Sequence, residues 1–207
     1  KIRWITMKEY HEFLKKNGKK RPGGEAFRSY CPEMTSGRIT RRKRYSIPYT
    51  APYEEGLEYF SDTYILKKSL DAIRNRDKTK PLFLCVNFQA VHPPYNIPEP
   101  YYSMVKDVDL PVNVGRWSEG QSPLQLYNLP GFLGSRYTRE DWKRIWPVYL
   151  GYVALLDYCV GQILSEFEKE GLYEDSLIIF TADHGEMLGS HCMWQKMCMY
   201  EEATHVP

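Results

Sequence analysis

Three parts of the chain repeat their apolar residues at helical spacing. Residues 6–16, TMKEYHEFLKK, read as a short helix, with Thr6 and Glu9 at capping-box spacing and Gly18 as a stop. A second helix is predicted from Asp62 to about Arg76, with Ile65, Leu66, Leu70 and Ile73 at helical spacing and Ser61 or Asp62 as its cap. The longest opens at Thr138-Arg139-Glu140-Asp141. It repeats Leu150, Val153, Ala154, Asp157, Val160, Gly161 and Leu164 and ends at Gly171, and Pro147 predicts a kink or a division.

Two short runs have a different pattern. Leu82-Phe83-Leu84-Cys85-Val86-Asn87-Phe88 and Ser176-Leu177-Ile178-Ile179-Phe180-Thr181 are nearly continuous in apolar residues, which predicts strands buried on both faces. Strand, long helix and strand in that order make a βαβ unit. The expected fold class is therefore α/β, a mostly parallel sheet flanked by helices. Residues 18–56 read as loop, and 89–137, with its prolines, glycines and tyrosines, as a long irregular surface of the functional kind.

Composition adds less than charge does. Apolar residues at 43% and charged residues at 26% suit a globular domain. The net charge of +2 conceals an asymmetry: residues 1–44 hold 14 Lys+Arg against 4 Glu, and the remainder holds 14 against 22 Asp+Glu. The densest run, Arg38-Ile39-Thr40-Arg41-Arg42-Lys43-Arg44, has no nucleic-acid motif beside it and reads as solvated loop, so no nucleic-acid partner is expected. Five cysteines without a C-x-x-C pair give no disulfide framework, and Cys85 and Cys159 read as core residues. No stretch reads as a membrane span. The chain starts at Lys1 and stops at Val206-Pro207 within an apolar approach, and both ends are expected to be cuts.

Candidate chemistry sits where the strands end. Open α/β sheets bind ligands beyond the carboxyl ends of their strands. His92 lies four residues past Phe88, and Asp183-His184 follows Thr181-Ala182. A carboxylate there needs a counter-charge, and a cation is the natural one. His184 is a candidate second ligand, and Gly185 lets the chain turn tightly. Taken singly, Lys196 reads as a surface lysine and His92 as a loop histidine.

The joint pattern reads otherwise. The run Phe180-Thr181-Ala182-Asp183-His184-Gly185-Glu186-Met187-Leu188-Gly189-Ser190-His191-Cys192-Met193-Trp194-Gln195-Lys196 resembles the carboxy-terminal metal and sulfate motif of the sulfatase family, within the alkaline-phosphatase-like superfamily. Asn87-Phe88-Gln89-Ala90-Val91-His92-Pro93-Pro94-Tyr95 resembles that family's S-F-x-x-P-H-x-P-Y segment. The helix from Gly151 to Leu164 and the tail from Tyr200 to Pro207 also match, in family order. The resemblance covers roughly residues 60–207, with 1–56 as a basic, loop-rich remainder of one partial catalytic domain.

The resemblance implies roles. Asp183 and His184 would be metal ligands, normally for calcium, although an imidazole also suits manganese or zinc. Lys196 would contact sulfate oxygens, and His92 would touch the sulfate or protonate the leaving oxygen. The implied reaction is hydrolysis of a small-molecule or carbohydrate sulfate ester, with selection among substrates expected in residues 18–44 and 89–137. Two family features are missing: the C-x-P/A-x-R motif whose Cys becomes the formylglycine nucleophile, and the amino-terminal Asp-Asp metal pair. Cys31-Pro32-Glu33 does not supply the motif, because Pro follows Cys directly. This chain alone is expected to be inactive. The rival enzyme reading is a phosphonate monoester or phosphodiester hydrolase of the same superfamily, which His184 suits. A non-catalytic anion-binding module is the third. His191 and His205 read as structural or rim residues, His11 as surface, and Trp194 as packing or pocket wall.

Overall fold

The computed structural model describes residues 5–36 and 38–206. Residues 1–4, Gly37 and Pro207 lie outside the described residues, as do the side chains of 32–35 and 39–42, which include much of the basic run and of the Cys31–Glu33 motif. The chain divides into two units, one of residues 1–104 with 149–177 and one of 105–148 with 178–207.

In the first unit, helix α1 (Met7–Lys16) starts as its sequence predicts. The Glu9 amide donates to Thr6 Oγ1, and the Thr6 amide donates to Glu9 Oε2. Its buried Tyr10 and Leu14 pack on Tyr64. The loop expected over 18–56 is instead largely a hairpin. Strands β1 (Arg28–Thr35) and β2 (Arg38–Ser46) pair antiparallel from Arg28↔Ser46 to Thr35↔Arg38, with a register shift at Glu33/Met34. Arginines and a proline in these strands hid the alternation that marks a half-buried strand. A short strand β3 (Thr50–Pro52) then pairs parallel with the buried β4 (Tyr95–Ile97).

Helix α2 (Ser61–Arg74) follows closely where it was expected, but neither Ser61 nor Asp62 caps it. Phe60 is the N-cap and contributes no side-chain bond. Asp62 turns inward and is 0% exposed. Its Oδ1 accepts from the amides of Gln89 (2.7 Å) and Ala90 (3.0 Å), and its Oδ2 from Ser61 Oγ (2.9 Å) and Tyr152 Oη (3.3 Å). Burial raises its pKa above the ordinary carboxylate range, against the pull of those hydrogen bonds.

Helix α4 (Arg139–Lys169) runs on through Pro147 without dividing. A proline this close to the start leaves a long downstream run of helix intact, and buried Tyr152, Leu155 and Cys159 anchor that run. Arg74 of α2 forks onto Glu166 of α4 at 2.7 and 2.8 Å, and Arg76 reaches Glu170 at 2.7 Å. By length and composition α4 is apolar enough to cross a membrane, contrary to the expectation that no segment is. The same test is met by core helices of water-soluble proteins.

Neither run predicted as a strand is in a ladder. Residues 82–88 are extended, with Leu82, Leu84, Val86 and Phe88 half-buried and the alternate positions exposed, Phe83 at 92%. Ile179 of the second run is 75% exposed. A strand needs a neighbour for its amides and carbonyls, and among the described residues these two have none. Cys85 shares this exposure and is not a core residue, whereas Cys159 is.

The second unit holds the irregular stretch from Val105 onward, which is more ordered than its sequence suggests. Arg139 at the start of α4 donates to the carbonyls of Leu110, Pro111 and Val114 at 2.7–2.9 Å. Helix α3 (Leu129–Gly134) is capped by Asn128, whose Oδ1 accepts from the Gly131 amide at 2.8 Å. Trp142 and Trp194, both fully buried, lie 5.9 Å apart, so Trp194 serves packing. Helix α5 (Glu201–Thr204) closes the unit.

Asp62→Ala would leave two part-buried amides without their acceptor and should cost about 2 kcal/mol, read as a fall in the denaturation midpoint of the full-length protein. Asp62→Asn keeps one acceptor oxygen and should cost less. The raised pKa also fixes a sign. Asp62 binds its proton more tightly folded than unfolded, so its contribution is complete below about pH 3.9 and is lost as pH rises through the folded value. The stability of wild type relative to Asp62→Asn should fall over that window. A flat difference would show that Asp62 stays ionised throughout.

Candidate active site

In the first unit, the Asp62 clamp positions His92. The carboxylate holds the amides of Gln89 and Ala90, and the Gln89 carbonyl accepts from the His92 amide at 2.8 Å. His92 Nδ1 lies 2.7 Å from the Pro93 carbonyl oxygen. A carbonyl only accepts, so Nδ1 carries the hydrogen and the neutral ring has its lone pair on Nε2. His92 lines a cavity of about 390 Å³ with Tyr10, Ser61, Arg21 and Arg28.

In the second unit, Asp183, His184 and Lys196 lie on one folded loop. The His184 Nδ1 is 2.9 Å from the Gly185 carbonyl oxygen, which by the same reasoning makes Nδ1 the donor. The lone pair of Nε2 then lies 3.5 Å from Asp183 Oδ2, and the Asp183 side chain is 87% exposed. Two acceptors this close repel unless a proton or a cation lies between them. Neighbouring ligands at about 2.1–2.4 Å from one cation are themselves roughly 3–3.9 Å apart between octahedral and tetrahedral angles, so the 3.5 Å pair fits two coordination positions. Among the described residues no group of three or more His, Cys, Asp or Glu surrounds a common point, so these two side chains alone would supply only part of a coordination shell.

Close approach sets the backbone here. A side chain at Gly185 would meet the Glu202 carbonyl oxygen at 2.0 Å, and the Gly185 amide donates to the Ala203 carbonyl at 2.9 Å. At Gly189, φ is +91° and a Cβ would strike the Trp142 ring at 2.6 Å.

Glu186 is the residue that sequence reasoning missed. Its Oε1 accepts from the Gln195 amide at 2.5 Å and the Leu188 amide at 3.5 Å, which folds the loop back so that Lys196 follows directly. Burial raises its pKa to about 7, and the backbone hydrogen bonds and the Lys196 charge oppose the rise. The signal was available: Glu186 is an acid amid the apolar residues of the motif. His191 is structural, stacked on Tyr200 at 4.2 Å with Nδ1 2.9 Å from Ser118 Oγ.

Glu186→Ala should speed hydrogen exchange at the Gln195 amide by about 10- to 100-fold, whereas Glu186→Gln, which keeps an acceptor oxygen, should retain most of the protection. Equal exchange in wild type and Glu186→Ala would mean that the loop is held by its packing alone.

Comparison with known proteins adds the family. The family model for Sulfatase matches residues 5–207, so the basic amino-terminal region is included. An arylsulfatase from Clostridium perfringens is 30% identical over 75% of this chain and 32% of its own length. A multifunctional alkaline phosphatase superfamily protein from Trinickia caryophylli is 28% identical over 72% of this chain and 32% of its own length. This chain thus spans about a third of the curated relatives it matches. The crystal structure of a phosphonate monoester hydrolase from Agrobacterium radiobacter superposes with a TM-score of 0.73 at 24% identity, over 97% of this chain and 40% of that one. That likeness shows the fold, which is α/β, the class expected from the sequence. With a family match that runs through nearly every described residue, the chain belongs to the sulfatase family.

Proposed function

We propose that this chain is part of the catalytic domain of an enzyme that hydrolyses sulfate esters, small-molecule or carbohydrate. The observation that carries the reading is the pair of facing acceptors on Asp183 and His184 within the family motif. Asp183 and His184 would hold a divalent cation: calcium, or manganese or zinc given the imidazole. When bound, it would supply Lewis-acid polarisation of an ester oxygen.

The chain's own residues would do the rest. Lys196 would neutralise charge on the sulfate oxygens. His92, its Nδ1 hydrogen committed to Pro93, would give a proton from Nε2 to the leaving oxygen in its charged form. The nucleophile, a formylglycine by family resemblance, would come from the remainder of a longer protein. Phe83 in the first unit and Ile179 in the second are exposed, each on a run without a ladder partner among the described residues, which supports pairing of each with further strands of that protein.

A second reading has its own support. The Agrobacterium radiobacter neighbour is titled a phosphonate monoester hydrolase, and imidazole at 184 suits the metals of phosphoryl chemistry. The full-length protein, stripped of metal and reloaded with calcium or manganese, should be assayed with matched aryl sulfate, phosphonate monoester and phosphodiester substrates. Sulfate release should dominate, and Asp183→Asn should lower it by about 100-fold or more. Dominant phosphonate or phosphodiester hydrolysis would establish the second reading instead.

A further inference from the structure

The cavity beside His92 has a charge that the reaction at the ester does not explain. Arg21, Arg28 and Arg44 line it, and Glu25 is the one carboxylate on its wall. Arg44 takes up Glu25 in a direct ion pair. Among the described residues no carboxylate pairs with Arg21 or Arg28. Two exposed arginines without a carboxylate partner among the described residues thus line the cavity that His92 also lines.

These arginines stand on a fixed segment. Tyr53 Oη donates to the Lys20 carbonyl at 2.6 Å, and the Gly23 amide donates to Asn96 Oδ1 at 2.9 Å. Asn96 in turn donates to the carbonyls of Ala51 and Pro52 at 3.1 and 2.9 Å, which ties the segment to β3 and β4. Gly23 has φ +95°, and a Cβ there would meet Pro94 Cγ at 2.9 Å, so only glycine lets this strand of chain lie against the Pro93–Pro94 turn next to His92. Buried Phe27 anchors the other end just before Arg28. At about 390 Å³ the cavity lies within the ~300–1,000 Å³ range of small-molecule sites.

We propose that this cavity is a subsite for a second anionic group on the substrate, a carboxylate or a further sulfate on the same sugar, held by Arg21 and Arg28. The inference rests on the sulfatase reading, in which His92 faces the ester being cleaved. A guanidinium is a planar fork that matches either anion with two parallel hydrogen bonds, and it stays charged at any working pH. The subsite selects polyanionic sugar sulfates over neutral ones and places the selecting residues in the basic amino-terminal region.

The test uses the full-length protein with a sulfated methyl hexuronide, the methyl ester of that compound and a disulfated methyl hexoside. KM should be about 10-fold or more lower for the substrates with a second anion than for the ester. Arg21→Gln with Arg28→Gln should abolish that difference and leave kcat and the ester's KM unchanged. The lysine pair, Arg21→Lys with Arg28→Lys, should recover only part of it. Preference for the hexuronide alone, or for the disulfate alone, identifies which anion the subsite takes. Equal KM for acid and ester in wild type, or equal effects of the variants on both, overturns the proposal. Titration with unsulfated methyl hexuronide against methyl hexoside separates the two ideas. Arginine-dependent hexuronide binding without sulfate release from any compound would sink the sulfatase reading and leave the anion subsite standing.

Discussion

Most of what positions His92 depends on a single buried carboxylate. Asp62 joins the start of α2, the turn at Gln89–Ala90 and Tyr152 of α4, pieces that are far apart in sequence. Burying a carboxylate is unfavourable on its own, and four donors converge on this one to offset the desolvation. Its place in the first turn of α2 adds the favourable end of the helix dipole. The reward is geometric: the His92 ring hangs from a turn whose two preceding amides cannot drift. A cap on α2 would have stabilised only the helix. Turned inward, the same residue fixes a catalytic candidate twenty-seven and more residues downstream.

The second unit reaches the same end by a different device. Its loop from Asp183 to Lys196 has little regular structure and relies on backbone contact too close for side chains. Gly185 lies against the Glu202 carbonyl, Gly189 lies against the Trp142 ring, and Glu186 closes the loop through the Gln195 amide. Glycine allows the approach, and a buried acid makes it directional. Such a loop holds its residues by exclusion as much as by attraction.

The sequence disclosed the elements that depend on local signals. Helix α1 follows its capping box, α2 and α4 follow their apolar period, and the Asp-His-Gly motif was readable because residue types and spacing coincide with a family pattern. It hid what depends on distant partners. The hairpin of β1 and β2 carries too many arginines to show alternation, and Asp62 looks like a cap until the Gln89 amide is seen beside it. The runs at 82–88 and 176–181 have strand composition, yet composition does not provide a neighbour to pair with. Pro147 signalled a break that the buried face of α4 overrides. The roles of Asp183, His184, His92 and Lys196 came from the joint pattern, and no one of them announced itself alone.

Electrostatics give the two candidate sites complementary signs. At Asp183 and His184 two acceptors face each other with nothing positive among the described residues between them, and in the cavity beside His92 two arginines lack a carboxylate. Arg44 shows the alternative, an arginine whose charge is taken up by the neighbouring Glu25. The arrangement at each place is accounted for if the missing partner is a ligand: a cation at the first, an anion at the second. On the proposed reading a metal would act on the group being cleaved, and the arginines would contact a second anion of the substrate. On that view the basic amino-terminal segment does not serve a polyanionic polymer such as nucleic acid. Its proposed task is to select among anionic sugar sulfates at the cavity that His92 lines.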